Sequence, residues 1–279
     1  MKEIFARRPA HPIVCGRNAE ISFIWWESAR RWAARGAGYA GRVTDRLDPA
    51  RLDELWDFAD AAASAERFAH EIASAPPVTA DELRTQQARA LGLAGRGDEA
   101  DAILAAIDSD DLVVRARVAL ERGRRLNSSG RPDDAVPYFA AALDLAQEAA
   151  DDFLAVDALH MLAIADGDRS GEWAARGVAL AEASADTRTH RWLIALHNNL
   201  GWLHHDAGRY PDALAEFEAA DAAARAHGST EQQQIAHWAI ARALRSLGRR
   251  DEARAIQQRL LELRPDDEYV VEELEALRD

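Results

Sequence analysis

The sequence predicts an all-α fold: a right-handed superhelical array of antiparallel helix pairs, of the α-solenoid type. The first observation is a pair of helical stripes in residues 191–228, in which apolar side chains recur at helical spacing on either side of Gly208. The second is the presence of small residues, Gly201, Ala213 and Ala220, where two helix axes must cross closely. The third is the recurrence of one kind of turn along the chain. Together they favour short helices that are joined by tight turns and stacked in series.

Five turns of similar sequence divide the middle of the chain into units. The turns GRGDEA, GRPDDA, GEWA, GRYPDA and GRRDEA place Ala100, Ala135, Ala174, Ala213 and Ala253 at equivalent positions. The successive spacings are 35, 39, 39 and 40 residues, a regularity that is typical of stacked helix pairs. The third turn, DGDRSG, departs most from the pattern, so the register of its unit is open by one residue.

The fourth unit resembles a tetratricopeptide repeat, a helix–turn–helix unit whose arrays bind other proteins. The resemblance depends on Leu200, Gly201, Gly208, Tyr210, Ala213, Phe217 and Ala220. It extends over residues 81–278 and is strongest in the fourth and fifth units and weakest in the third. The units exceed the usual period of about 34 residues, which an extra helical turn would explain. The nearly lysine-free, alanine- and arginine-rich composition also resembles that of bacterial repeat proteins from high-GC genomes, a likeness that implies no activity.

The first 46 residues differ in composition from the rest of the chain. They carry a net charge of +5, whereas the remainder carries −19. Because they contain Pro9, Pro12 and four glycines and show no sustained period, residues 1–46 are predicted to be a basic, disordered arm. A contact with a membrane surface or with nucleic acid is one alternative. Another is that the natural protein begins at Val43, since valine codons can serve as bacterial start sites.

Residues 47–80 are predicted to form two capping helices at the open end of the array. Asp48 and Pro49 are a helix-start signal, because an acceptor side chain at the N-cap is followed by a proline whose φ suits the first helical position. Asp60 can cap the second helix. Terminal units are expected to be atypical, since one of their faces meets water.

Five repeats are predicted over residues 81–265, followed by a C-terminal capping helix over residues 266–279. This closing helix carries Val270, Leu274 and Leu277 on one face and acidic residues elsewhere. The pattern predicts that the apolar face packs on the last repeat and that the acids meet solvent.

Charge and composition exclude several classes of function. The net charge of −14 and the pI near 5.1 argue against nucleic acid as the main partner, because phosphate binding needs a basic surface. The single cysteine, Cys15, can form no internal disulfide and suggests neither zinc nor redox chemistry. The longest early apolar run, residues 21–26, is too short for a membrane span. We therefore expect a cytoplasmic protein that binds neither nucleic acid nor membrane.

Three local patterns resemble ligand motifs without their required context. Residues 36–41 fit the G-x-G-x-x-G loop of dinucleotide sites, but no strand precedes them. Residues 166–177 begin with the spacing of a calcium loop but lack the Glu that its twelfth position requires. His190, His197 and His204 recur every seven residues, a helical distance of about 10 Å that is too long for one ion. We predict no catalytic residue, no cofactor and no metal site.

The concave surface that the resemblance implies can be assigned residue by residue. The first helix of each unit lines it, and positions i, i+4 and i+7 of a helix share a face. The predicted peptide-binding groove consists of Arg89, Arg117, Arg124, His160, Asn198, Asn199, Trp202, His205, Trp238, Arg242 and Arg245. Neighbouring candidate positions are Thr85, Gln86, Glu121, Asp157, Met161 and Ile164. With five arginines, two tryptophans and only two acids, the groove predicts a protein or peptide ligand that has acidic and apolar residues.

The sequence thus predicts a non-enzymatic adaptor, and other interpretations stay open. A regulatory or helper subunit of an enzyme or transcription complex would assemble through the convex face or the closing helix. An enzyme is a third possibility, for which no nucleophile–base pair is visible. Asn199 holds the position of a carboxylate-clamp Asn in chaperone-binding relatives, whereas Glu121 and the missing lysines argue against a full clamp. Trp202 and Trp238 can equally pack between neighbouring helices. The partner and the oligomeric state are left open.

Overall fold

The computed structural model describes residues 46–278, and every regular element within that range is a helix. The α-helices are α1 (Pro49–Leu55), α2 (Ala61–Ile72), α3 (Pro77–Leu93), α4 (Gly97–Ala106), α5 (Leu112–Ser128), α6 (Pro132–Glu148), α7 (Asp152–Ala165), α8 (Ser170–Ala183), α9 (Trp192–Asp206), α10 (Tyr210–His227), α11 (Thr230–Ser246), α12 (Arg250–Leu263) and α13 (Glu268–Ala276). The prediction of an all-α solenoid is confirmed. Apart from Arg46, the predicted arm and the alternative start at Val43 lie outside the described residues.

Each helix packs mainly on the next helix in the chain, and the first helices of successive pairs also contact one another. These first helices are α3, α5, α7, α9 and α11. We call them the inner layer. The candidate groove residues all lie on this layer, so its packing decides which of them meet.

Glycine closes four of the five predicted turns between helices. Gly95, Gly130, Gly208 and Gly248 have φ between 73° and 78°, a conformation that glycine adopts at little steric cost. The arginine after each glycine donates its backbone N–H to the carbonyl five residues earlier, at 2.8 to 3.0 Å, which ends the preceding helix. The third unit instead turns through a short 3₁₀ segment, Gly167–Arg169. This is the unit whose sequence departs most from the pattern.

Small residues lie where the paired helices cross most closely. A Cβ atom added at Gly201 would lie 2.4 Å from the ring of Phe217, and one added at Gly123 would lie 2.5 Å from the ring of Phe139. Ala213, on the helix that carries Phe217, is fully buried. The predicted close approach of α9 and α10 is confirmed.

The predicted helix starts at the N-terminal end are also confirmed. The Asp48 side chain accepts the backbone N–H of Ala50, with Pro49 in the first helical position, and Asp60 caps α2 in the same manner. The helix that opens the array, α3, begins at Pro77, which is four residues before the predicted boundary at residue 81.

The closing helix α13 is shorter than predicted and begins after Asp267, whose side chain caps it. Val270 and Leu277 are buried as expected. The expectation that the acids of this helix meet solvent is wrong for Glu273, which is buried because it pairs with Arg242 and Arg245 of α11.

Candidate functional site

A cavity of about 540 Å³ lies against the inner layer. Its lining comes from α3, α5 and α7, from the start of α9, and from the connection between α10 and α11. The helix α1 and the residues that follow it complete the lining. Asp53 Oδ2 on α1 lies 3.3 Å from Arg191 Nη1 just before α9, although the two residues are 138 positions apart. The N-terminal helix therefore reaches across the inner layer and closes one side of the cavity.

Trp56 holds the segment after α1 in place. Its indole Nε1–H donates to Gln86 Oε1 at 3.1 Å, and its ring stacks on Phe58 with centroids 4.3 Å apart. The ring of Phe68 meets it edge-on at 5.2 Å. Because Trp56, Phe58 and Gln86 all line the cavity, these contacts fix one of its walls.

The predicted groove arginines in the cavity wall already contact acids of the same chain. Arg124 is hydrogen-bonded to both Glu121 and Asp157, and Arg89 Nη1 lies 3.9 Å from Glu121 Oε1. The two acids are buried, so their charges need these partners. The arginines therefore form an internal network and do not present unopposed positive charge.

The expectation of only two acids on this surface is wrong. Arg117 Nε lies 3.5 Å from Glu82 Oε2, and Arg46 Nη1 lies 3.3 Å from Glu82 Oε1. Glu82 stands three positions before Thr85, the first residue assigned to the groove, and residues at that spacing share a helix face. The predicted groove surface began at Thr85 and so omitted Glu82, which lies one helical turn earlier.

Burial changes the proton affinity of two groups that line the cavity. Burial, with further repulsion from Arg124, lowers the pKa of Arg89 to about 10. Burial lowers the pKa of His160 to about 4. His160 is therefore neutral at pH 7, with one ring nitrogen as a donor and the other as an acceptor.

His160 is a buried polar side chain without a hydrogen-bond partner. It is 7% exposed, and neither of its ring nitrogens has a partner among the described residues. Its ring lies 5.2 Å from the ring of Trp192, which in turn lies 5.8 Å from the ring of Phe153. All three residues line the cavity, so the imidazole stands in an aromatic wall.

The groove candidates on α11 lie outside the cavity and contact the closing helix. Arg245 Nε lies 2.8 Å from Glu273 Oε2, and Arg242 is hydrogen-bonded to the same carboxylate. The Trp238 indole N–H donates to the carbonyl oxygen of Tyr269 at 3.2 Å. The helix α13 thus covers this end of the inner layer, and the structure divides the predicted groove into two parts.

The groove candidates on α9 also lie outside the cavity. Trp202 is buried, with its ring 5.0 Å from the ring of Phe217. It packs between helices, which is the alternative to a role in the groove. His205 Nε2 lies 2.9 Å from Ser246 Oγ. Asn198 is buried and Asn199 is half-buried, and neither lines the cavity.

Comparison with known proteins identifies one repeat near the end of the chain. Residues 236–267 match the family model of the tetratricopeptide repeat. The chain therefore contains a tetratricopeptide repeat. Among solved structures, this repeat protein is similar to the crystal structure of BtubC (BKLC) from P. vanneervenii, with a TM-score of 0.58 and 16% identity over 77% of this chain and 91% of that chain. At that identity the likeness concerns the fold alone. No curated protein matches the sequence.

The aromatic part of the site was not predicted from the sequence of this repeat protein. Phe153 and Trp192 stand at the starts of α7 and α9, whereas the groove positions were counted back from the turns that end those helices. Trp56 was assigned to a capping helix, and nothing in its local sequence says that the cap reaches over the inner layer. A large aromatic residue in the first turn of two inner helices is the signal that could have found this wall.

Residues 46–278 of the repeat protein can be searched for metal sites and for membrane-spanning helices. In this range no three side chains of His, Cys, Asp or Glu are placed to hold a metal ion. None of the helices described is long and apolar enough to cross a membrane.

Proposed function

We propose that the protein is a non-enzymatic, cytoplasmic adaptor that binds a segment of another protein on its inner layer. Tetratricopeptide repeats generally mediate protein–protein interactions, and this supports the class of function. The observation that carries the proposal is the cavity of about 540 Å³, whose lining includes Arg89, Arg117, Arg124 and His160. Concave sites of about 300–1,000 Å³ with mostly apolar walls and a few convergent polar groups are the usual form of a binding pocket.

In the proposed ligand, apolar side chains supply most of the binding energy, and acidic side chains fix its position along the inner layer. Aromatic walls exclude water from whatever enters the cavity, and buried aromatic contacts dominate binding energies at interfaces. An acidic side chain of the ligand would meet Arg124 only in competition with Glu121 and Asp157. Such a contact adds specificity more than affinity.

A substitution that fills the cavity tests the proposal. Ala195 lines the cavity, so Ala195→Phe places a ring in the space that the ligand would need. We expect affinity purification from the native cells, quantified by mass spectrometry, to recover the partner at least about tenfold less with this variant than with the parent.

The matched control is Ala105→Phe, because Ala105 is exposed on α4 and lies outside the cavity lining. This variant should recover the partner as the parent does. Equal recovery of all partners with the parent and both variants would contradict binding on the inner layer.

One observation favours a second function, that of a helper subunit assembling through the closing helix. Leu263 at the end of α12 is 65% exposed and Tyr269 on α13 is 57% exposed, and exposed large apolar side chains suit a protein contact. If the double substitution Leu263→Ser and Tyr269→Ser removes the partner while Ala195→Phe retains it, the closing helix is the binding surface.

A further inference from the structure

We infer that residues 20–27 of the chain itself occupy the cavity until a partner displaces them. This interpretation rests on the proposed function, because it names what regulates binding at the same site. The described residues contribute a cavity with many apolar lining residues, and the sequence contributes a short apolar segment that has no place in the repeats. The position at which the described chain begins connects the two.

Residues 20–27 have the composition that the proposed ligand requires. Their sequence is EISFIWWE, in which five of the six central side chains are large and apolar and one glutamate stands at each end. With two glutamates and no basic residue, the segment carries −2 within an arm of net charge +5. A run of large apolar side chains is unfavourable in water and is typical of a segment that binds to a protein surface.

The described chain begins beside the cavity. Arg46 Nη1 lies 3.3 Å from Glu82 Oε1, and Oε2 of the same carboxylate lies 3.5 Å from Nε of Arg117, which lines the cavity. The guanidinium of Arg46 also donates to both carboxylate oxygens of Asp111, at 2.6 and 2.7 Å. The side chain of the first described residue is therefore one carboxylate away from the cavity wall.

The chain between the segment and Arg46 is long enough to let the segment enter the cavity. Arg46 follows Glu27 by 19 residues, which span at most about 65 Å. The helix α1 begins three residues after Arg46 and itself lines the cavity through Leu52 and Asp53. A tethered ligand acts at an effective concentration of about 1 mM, so weak contacts suffice to keep it bound.

The cavity walls suit the apolar centre of the segment. The stacked rings of Trp56 and Phe58 lie on one side, and Phe153 and Trp192, with ring centroids 5.8 Å apart, also line the cavity. The aliphatic lining residues are Leu52, Leu93, Leu120, Leu154, Met161 and Ile164. Aromatic side chains that fill apolar pockets dominate binding energies at interfaces. We therefore assign Trp25 and Trp26 as the anchors of the segment.

Exposed ion pairs among the lining residues offer partners for the two glutamates of the segment. Arg191 pairs with Asp53, and Arg125 pairs with Asp101, through side chains that are 25% to 56% exposed. Such exposed pairs contribute little to stability, so either arginine can exchange its acid for a glutamate of the segment at low cost. The basic residues on both sides of the segment are attracted to the remainder of the chain, which carries −19.

Photo-crosslinking within the purified full chain tests the inference. A benzophenone amino acid replaces Ser128, which is exposed and lines the cavity. Trypsin cleaves after Arg17 and Arg30 and so releases residues 18–30 as one peptide. We expect mass spectrometry to find this peptide joined to the peptide that carries position 128, in a product with the mass of a single chain. Position 105, exposed on α4 and outside the cavity lining, should give no such product.

Substitutions in the full chain test the anchors. The double variant Trp25→Ser and Trp26→Ser should reduce the crosslink at least about tenfold, because it removes much of the apolar surface of the segment. The matched control is Trp32→Ser, which removes a tryptophan of the same arm outside the segment and should crosslink as the parent does. Ala195→Phe, which fills the cavity, should abolish the crosslink. A crosslink that survives either the double variant or Ala195→Phe undiminished overturns the inference.

Isotope labelling distinguishes the segment of the same chain from that of a second copy. The unlabelled chain with benzophenone at position 128 is mixed with a ¹⁵N-labelled chain that lacks it, and the crosslinked peptide of residues 18–30 is weighed. Unlabelled peptide alone supports the inference, whereas ¹⁵N-labelled peptide means that a second copy supplies the segment and overturns it. Absence of this peptide from the crosslinks also overturns it, as does a natural chain that begins at Val43 by intact mass.

A probe in solution measures how strongly the segment competes for the cavity. A synthetic peptide of residues 18–30 with a fluorescent label is titrated into the full chain, and binding is followed by fluorescence anisotropy. The chain with Trp25→Ser and Trp26→Ser should bind the probe at least about threefold more tightly than the parent or Trp32→Ser, because it lacks a competitor present at about 1 mM effective concentration. Equal affinities overturn the inference.

The inference and the proposed function fail separately. If purification with Ala195→Phe loses the partner but the peptide of residues 18–30 is absent from the crosslinks, inner-layer binding stands and occupation by the chain's own segment falls. If this peptide is crosslinked from position 128 but Ala195→Phe retains every partner, occupation by the segment stands and the proposed function falls.

Discussion

Arginines on the inner layer are held by acids from the same or the neighbouring helix pair. Arg124 on α5 bonds to Asp157 on α7, 33 residues away, and the same guanidinium bonds to Glu121 on its own helix. The sequence predicts which face of a helix these residues occupy, because the face follows from helical spacing. It does not predict which side chains meet, because that depends on how neighbouring helices slide and tilt. The predicted groove residues thus lie on the inner layer, but the sequence did not indicate their partners.

The shared carboxylate Glu121 gives the first prediction. Glu121→Gln should lower the free energy of unfolding by about 3 kcal/mol, because removing one member of a buried ion pair leaves the other charge uncompensated. The measurement is chemical denaturation at pH 7. Glu99→Gln removes a carboxylate from the exposed pair with Arg96 and should leave the unfolding midpoint almost unchanged. Equal effects of the two substitutions would contradict the account.

The pKa of His160 gives the second prediction. The pKa is lowered from 6.5 to about 4 in the folded chain, so between these values the unfolded chain binds the proton and the folded chain does not. The contribution of His160 to the free energy of unfolding is therefore fully present above pH 6.5. It falls as the pH drops towards 4, by about 3 kcal/mol in total.

His160→Phe should remove this part of the pH dependence. Denaturation curves between pH 4 and 7 would show it as a shallower slope than that of the parent. His70→Phe is the control, because His70 is exposed, and it should give a profile parallel to the parent. A parallel profile for His160→Phe would mean that His160 is not buried in its neutral form.

The helix pairs are where prediction from the sequence succeeded best. Turns at Gly95, Gly130, Gly208 and Gly248 were visible because a positive φ restricts the residue type to glycine. The close crossing of α9 and α10 was visible because only small residues fit there. The buried Glu273 of α13 was missed because its arginine partners lie on a neighbouring helix, which a local pattern does not reveal. The start of α3 at Pro77 was missed although proline suits the first helical position.

Overpacking at one crossing gives the third prediction. Ala213 is fully buried on α10, so Ala213→Leu should lower the free energy of unfolding by about 1–3 kcal/mol. The matched control is Ala215→Leu, two residues along the same helix, where the side chain is exposed. A midpoint of denaturation for Ala213→Leu that equals the control would place the crossing elsewhere.

The whole molecule brings together segments that are remote in sequence. The contact of Asp53 with Arg191 spans 138 residues and brings α1 to the start of α9. Which remote segments meet depends on how successive helix pairs stack, and no local pattern in the sequence specifies that stacking. The cavity and its aromatic wall could not be predicted for this reason, although the array itself could.

Photo-crosslinking in the native cells tests binding on the inner layer most directly. Ser128 is exposed at the edge of the cavity, so a benzophenone amino acid in its place would face a bound segment without filling the site. The same amino acid at Ala105, exposed on α4 and outside the cavity lining, is the control. The account predicts a specific crosslink to another protein from position 128 that is lost on adding Ala195→Phe, and none to that protein from position 105. Crosslinking of the same partner from position 105 alone would contradict binding on the inner layer.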